Sequence, residues 1–533
     1  MNFTHMQFMT NHKGSNPMKK WLLVVTGAAL TATSVIGCAQ PGSQGSEGTA
    51  SPGGKTSFSI SFRSGNISYA ENHPNINEEK WVKKLEELTN TNLDIRLMPH
   101  KEFDQKMIQM FAINDIPDVV QASAGLTNPQ LAGSVQSGVF MPLNDLLNKH
   151  GKNLLAKIPK DAWEKETDAN GNIYAIPEWL SNPSRRATWI RADLLEKTGL
   201  PEPKTVDDYL NVMRAFKKMG VENPYMGRED FVYSDAFFGA NDVFANFFMK
   251  QGDQIVPKFF NVEGMQRTMQ TYKTMLEEGL ISKEFATTNP TKFKNDILAG
   301  KAGIWNMNAN LLIQWDNQLK ESVPGAKMKL ISSPTGPDGK GGLRLVGNVT
   351  RAYFINKNAK DPAGIIKFFD WMVSDEAEKF FTFGIKGENY TEENGKINYK
   401  APANALEVDE ETYRQTLLWF VQDTTYNKGS LSLTPEGQNL MKLYDTVLAK
   451  EGRDGIQFEP QLQGYTKNPD ITPTGDKLPP VVLVHVIKMV YGKENIADYP
   501  KVLEEWKSKG GNEIIKEATE RYNKKEGVIL SKK

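Results

Sequence analysis

Residues 57–120 switch repeatedly between two hydrophobic periods, and that switching limits the folds open to the chain. Ser57-Phe58-Ser59-Ile60-Ser61-Phe62 alternates polar and apolar side chains, the period of a strand. Asn77-Glu78-Glu79-Lys80 then opens a helix whose Trp81, Val82, Leu85 and Leu88 share one face, ending at Thr89-Asn90. Leu93-Asp94-Ile95-Arg96-Leu97 alternates again, and Phe103 to Ala112 is a second amphipathic helix with Phe103, Met107 and Met110 or Phe111 turned inward. Ile116 to Val120 is the third strand. Strand, helix, strand, helix, strand predicts a parallel sheet covered by helices. In such sheets ligands sit beyond the carboxyl ends of the strands, which points to Arg63 after the first and to Gln121 and Ser123 after the third.

Upstream of this sheet, Lys19 and Lys20 precede an apolar run from Trp21 to Leu30, and small residues lead to Cys38. A positive start, a short apolar middle and small residues before a cut make a secretory signal over residues 1–37. The run falls short of the about 20 apolar residues a membrane span needs. Cys38 is the only cysteine, so no disulfide framework exists and cores must supply stability. Its setting resembles the lipobox of bacterial lipoproteins, in which that cysteine is acylated. Residues 39–55 include ten Gly, Ser or Pro, the composition of a flexible tether. Gly54-Lys55-Thr56 follows no strand and lacks the earlier glycine of a phosphate loop. Losing residues 1–37 removes three lysines and no acid, so the 64 basic and 64 acidic residues become a surplus of three negative charges. That balance gives no electrostatic case for nucleic acid. A chain of 533 residues divides into about two to four lobes or domains.

Further along, Thr205 is placed to cap a helix with Asp207 and Asp208 in its first turn, and Val206, Leu210, Met213 and Phe216 make its apolar stripe. Ser332 to Gly342 is a turn-rich loop, and Leu343 to Phe354 returns as extended chain. The stretches Asn114-Asp115-Ile116-Pro117-Asp118-Val119-Val120, Asn170-Gly171-Asn172-Ile173-Tyr174-Ala175-Ile176-Pro177, Trp189-Ile190-Arg191-Ala192-Asp193-Leu194-Leu195, Ala299-Gly300-Lys301-Ala302-Gly303-Ile304-Trp305 and Phe368-Phe369-Asp370-Trp371-Met372 follow one another in an order that resembles the extracellular solute-binding proteins, family 1. Within them the chain is similar to the lipoprotein group serving carbohydrate ABC importers, over nearly all of residues 57–525. The resemblance implies an α/β fold of the two-lobed, type II periplasmic-binding-protein kind, its discontinuous lobes joined by hinge crossovers near 177–188, 343–352 and 384–400. One lobe would hold residues 56–178 and 346–398, the other residues 179–345 and 399–533. It also implies a monomer on the bacterial cell surface, tethered through a lipid on Cys38, that captures an oligosaccharide and passes it to the permease subunits of an ABC importer.

An enzyme must name its groups, and none stands in a recognised pattern. No Gly-x-Ser-x-Gly, His-Glu-x-x-His or cysteine pair is present, and His73, His100, His150 and His485 share no ligand spacing. Asp168-Ala-Asn170-Gly171-Asn172 resembles a calcium loop, yet its glycine comes two places early for an EF-hand and turn chemistry accounts for it. No cofactor is expected; a structural calcium, which some relatives carry, is the alternative at that loop. Sugars want flat aromatics for stacking and planar polar groups for paired hydrogen bonds. Glu178, Trp179, Arg185 and Arg186 at the first crossover supply both, and the arginines could hold hydroxyls or a uronate carboxylate. Trp305 with Asn306 and Asn308 is a second such group, with Phe238 and Tyr390 as further candidates. Trp179 either stacks on ligand or packs between lobes, and Trp305 either joins it or fills a core. Other readings are a membrane-anchored glycan lyase or glycosidase, and a peptide-binding or sensor member of the same fold.

Overall fold

The alternating stretch expected as the first strand runs from Thr56 to Arg63 and sits inside a five-stranded sheet. The computed structural model describes residues 54–530 except residues 66, 124, 129–130, 132, 169, 181–183, 348, 422–426, 459–460 and 475. All of these fall in one unit, Ala50–Lys533. The signal segment, Cys38 and all but the end of the tether lie outside the described residues.

Across the first sheet the order is Thr91–Met98, Thr56–Arg63, Val119–Ser123, Val349–Ile355, Ala175–Trp179. The first three strands are parallel, as the strand–helix alternation predicts, and the Val349–Ile355 strand runs antiparallel to both neighbours. The third strand begins at Val119 rather than Ile116. The Asp118 carboxylate accepts from the Ser59 backbone N–H at 2.8 Å and its hydroxyl at 2.9 Å, so a side chain takes the place of one further ladder bond. Period 2 divides the sheet's side chains between two covered faces. Phe58, Ile60 and Phe62 pack with Trp81, Val82 and Leu85, while Val120, Ala122 and Phe354 pack with Phe103 and Met107 on the other side.

The second sheet has the order Met328–Ile331, Arg186–Arg191, Ala302–Asn308, Asn223–Tyr225. Its two faces are again both covered. Ile190 and Ile304 join one core, and Trp189 and Trp305, directly opposed in register, join the other with ring centroids 6.0 Å apart. The Val206–Lys218 helix packs Leu210, Met213 and Phe216 into the first of these cores and starts with a reciprocal capping box between Thr205 and Asp208.

The chain leaves the first sheet at Trp179 and enters the second at Arg186, and returns between Ile331 and Val349. The third passage differs from the one expected at 384–400. Tyr390–Glu393 and Lys396–Tyr399 form a hairpin whose Asn394 and Gly395 have φ of 51° and 76°. Asn-Gly adopts that left-handed pair cheaply, and the chain doubles back. Residues 413–421 then pack into the first sheet's core, with the Phe420 ring 5.0 Å from Phe62, and the second sheet's core is met only from Leu431 and Leu440 onward.

Candidate functional site

The carboxyl ends of four strands and the start of the antiparallel one meet at one rim of the first sheet. Arg351 is in register with Ser123 on one side and with Glu178 on the other, and Arg63 ends the next strand along. Arg351 is half-buried and ion-paired with Glu178, whose other oxygen accepts from the Thr350 hydroxyl at 2.9 Å. Burial alone would lower the Arg351 pKa, but the Glu178 carboxylate holds it above the usual arginine value. Gln121 is buried: its amide nitrogen donates to the Tyr353 hydroxyl at 2.8 Å and its oxygen accepts from the Arg63 backbone N–H at 3.1 Å. Both its ends are therefore committed to the protein. Ser123 is half-buried, with its carbonyl accepting from the Asn128 amide at 2.8 Å.

Arg63 stands apart from these satisfied groups. Its guanidinium lies 5.8 Å from the Phe103 ring centroid, and its buried Nε has no hydrogen-bond partner among the described residues. Burial, and then the nearby Arg351 charge, lower its pKa. His100 is close enough for Arg63 to depress its pKa too, after burial, and its buried Nδ1 is likewise without a partner among the described residues. Trp179, half-buried against the first core, walls a cavity of about 260 Å³ with Trp419, Lys157 and Glu378.

On the second sheet, Arg186 begins one strand opposite Asn308 at the end of the next. Its guanidinium lies between Asp235, at 3.1 Å, and Asp476, with which it is ion-paired, and over the Tyr233 ring at 4.3 Å. Arg344 reaches the other Asp476 oxygen at 2.7 Å. Burial alone would raise Asp476, yet Arg186 and Arg344 hold it below the usual carboxylate range. The Tyr233 hydroxyl is 3.3 Å from the Asn308 side-chain oxygen. Asp230, Phe231 and Tyr233 all have positive φ, of 53°, 62° and 51°, so backbone strain is stored in the loop that aims Tyr233. Beyond Arg344 lies a cavity of about 330 Å³ whose walls include Asn246, Gln457, Phe458 and Tyr465. Arg185, half-buried at the same rim, accepts from the Ala309 N–H through its carbonyl at 2.9 Å.

Four expected site residues lie elsewhere. Trp305 is fully buried among Trp189, Trp315 and Leu330, because the strand's other face is covered too. Asn306 is fully buried, accepting from the Tyr225 hydroxyl at 2.7 Å and donating to Thr188 at 2.9 Å. Phe238 packs against Phe231 and Tyr272 in the second sheet's larger core. Tyr390 is buried against Phe383 in the hairpin. Sequence reading missed Arg351, Tyr233, Asp235, Arg344 and Asp476; of these, Arg344 and Arg351, both in the extended Leu343–Phe354 stretch, carried a local signal. In the 168–172 loop, Asp168 accepts from the N–H groups of Asn172 at 2.8 Å and Asn170 at 2.9 Å and from the Asn172 amide at 3.1 Å. Those bonds, led by the Asn172 N–H, hold its carboxyl below the usual range. They leave the loop closed on itself as a turn.

Known proteins place these features in context. The model of the bacterial extracellular solute-binding protein family matches residues 74–379. The polygalacturonan/rhamnogalacturonan-binding protein YtcQ of Bacillus subtilis is 26% identical over 520 residues, covering 94% of this chain and 99% of its own. Lipoprotein LipO of the same organism is 24% identical over 472 residues, 83% of this chain and 88% of its own. The Streptococcus pneumoniae ABC-transporter substrate-binding protein FusA, solved with kestose, superposes with a TM-score of 0.64 at 17% identity, covering 88% of this chain and 99% of that one. At that identity the likeness speaks for the fold, a mixed α/β arrangement of the type II periplasmic-binding-protein kind.

Proposed function

Because the chain belongs to the bacterial extracellular solute-binding protein family, we propose that it captures an oligosaccharide between its two sheet-bearing lobes and delivers it to an ABC importer. One observation carries this reading: both polar rims adjoin the crossovers. The first crossover leaves the first rim at Trp179 and enters the second at Arg186, six residues of chain or so, and the second runs from Ile331, paired with Thr188, to Val349. Groups on either side of a hinge can grip one ligand, and contacts made from both lobes favour the closed form over the open one. Ser123, Trp179 and Arg63 on the first rim, and Arg185, Tyr233 and Asn308 on the second, offer the aromatic faces and planar polar groups a sugar requires. YtcQ, similar over nearly its whole length, is named for a polysaccharide ligand, which supports the same class here.

Binding and release need no covalent step. A glycan-cleaving alternative would want two free carboxylates on the rims, whereas Glu178, Asp235 and Asp476 are each committed to arginines. The lipid on Cys38, with the 39–55 tether, would hold the receptor within reach of its permease; LipO's description as a lipoprotein supports that placement. A melting-temperature panel of neutral and acidic oligosaccharides tests the function. Ligand at about a hundred times its dissociation constant adds roughly 2.7 kcal/mol of stability. A shift with a sugar and no product from its polymer is the expected result; a shift only with peptides would overturn the assignment.

A further inference from the structure

We infer that the oligosaccharide is acidic, and that Arg63, with His100 beside it, receives a uronate carboxylate at the rim of the first sheet. The inference rests on the oligosaccharide reading above and names what that reading leaves open, since the relatives' printed ligands include a uronic-acid polymer and the neutral sugar kestose. The charges at the first rim of this chain favour the acid. Arg351 is neutralised by Glu178, and Arg186 and Arg344 are neutralised by Asp235 and Asp476. Arg63 has no carboxylate within ion-pairing distance among the described residues; Glu178 and Asp104 attract it only from further away. A largely buried guanidinium with an unbonded Nε is costly unless something anionic completes it. The fork of an arginine matches a carboxylate in bidentate geometry.

His100 strengthens the case independently. Its Nδ1 is buried and without a partner among the described residues, while its backbone N–H is fixed by the Ser64 hydroxyl at 3.0 Å. A neutral imidazole there can bond a sugar hydroxyl next to the carboxylate. The Phe103 ring at 5.8 Å backs Arg63 and keeps water from one side of it. Two orphaned polar atoms in one neighbourhood, at the carboxyl end of a parallel strand, describe a half-made binding site rather than a packing fault.

The test uses matched pairs: oligomers of galacturonate, glucuronate and mannuronate, each beside its methyl ester, which has the same ring and no charge. Binding is followed by calorimetry with the full mature chain. At least one acid is expected to bind, with its ester weaker by about tenfold or more. Arg63→Gln should lose a similar factor for the acid and little for the ester, Arg63→Lys should recover part of it, and the unliganded melting point should hold. Should Arg63→Gln fail to fold, the acid–ester comparison in the unmodified chain still decides. Esters or neutral sugars binding as tightly as acids would overturn the inference and leave the oligosaccharide function standing. No binding by any of these or by the neutral oligosaccharides of the melting panel would overturn both.

Discussion

At the scale of single residues, burial sorts side chains of the same type into different roles. Trp305 and Trp179 are both strand tryptophans, yet one is fully buried and the other is half-buried beside a cavity. Trp305→Ala should therefore cost about 3–5 kcal/mol of stability, read from a denaturant midpoint. Trp179→Ala should lower oligosaccharide affinity at least tenfold with a much smaller melting change; a large melting drop with affinity intact would assign it to the core. Charge pairs follow the same logic. Arg453 holds the Asp338 carboxyl at a pKa of about 2, against an ordinary 3.8. Because the folded value is depressed, the pair's stabilisation is complete above about pH 4 and is lost as the pH falls towards 2. Asp338→Asn should remove it, so melting curves of the two proteins should differ at pH 6 and converge near pH 2. The exposed setting of Asp338 keeps the difference small.

At the scale of elements, local chemistry explains where helices and turns begin and where they stop. Thr205 accepts from the Asp208 N–H at 3.2 Å while the Asp208 carboxylate accepts from the Thr205 N–H at 2.9 Å, satisfying donors a helix start leaves open. Thr205→Ala should cost about 1 kcal/mol, visible in a urea midpoint. Gly342 has φ of 105°, and a Cβ there would lie 2.1 Å from the Gly452 nitrogen. Gly342→Ala should accordingly destabilise the strap that joins Arg344 to Arg453 far more than a surface alanine would. The cap was legible in the sequence because its residues are three apart. The Asn394-Gly395 turn was legible too, and reading it would have kept residues 399–421 with the first core.

At the scale of the whole molecule, two of the four sheets among the described residues, the five-stranded one and the one holding Arg186 and Asn308, have separate cores and are linked by passages that leave from their polar rims. No described helix is long and apolar enough to cross a membrane. In the proposed role Cys38 would carry the anchor. Cys38→Ser should release the protein from the membrane fraction into the medium or periplasm, with sugar binding unchanged, and mass spectrometry of the mature N-terminus should find the lipid only on the unmodified chain.

The sequence by itself determined the elements and the parallel start of the first sheet, because period 2, period 3.6, caps and turns are written in neighbouring residues. It also indicated the family, through the order of many weak motifs. Only the tertiary structure decided which rim groups are free. Glu178 meets Arg351 and Arg186 meets Asp476 across 173 and 290 positions of chain, and no local period records such a pairing. Nor could alternation tell Trp305 and Asn306 from rim residues, because both faces of a helix-covered sheet are buried and neither carries a polar signature. Arg63 was visible at the end of a strand from the start; that it lacks a described anionic partner while Arg351 on the same rim is paired with Glu178 became visible only in the tertiary structure.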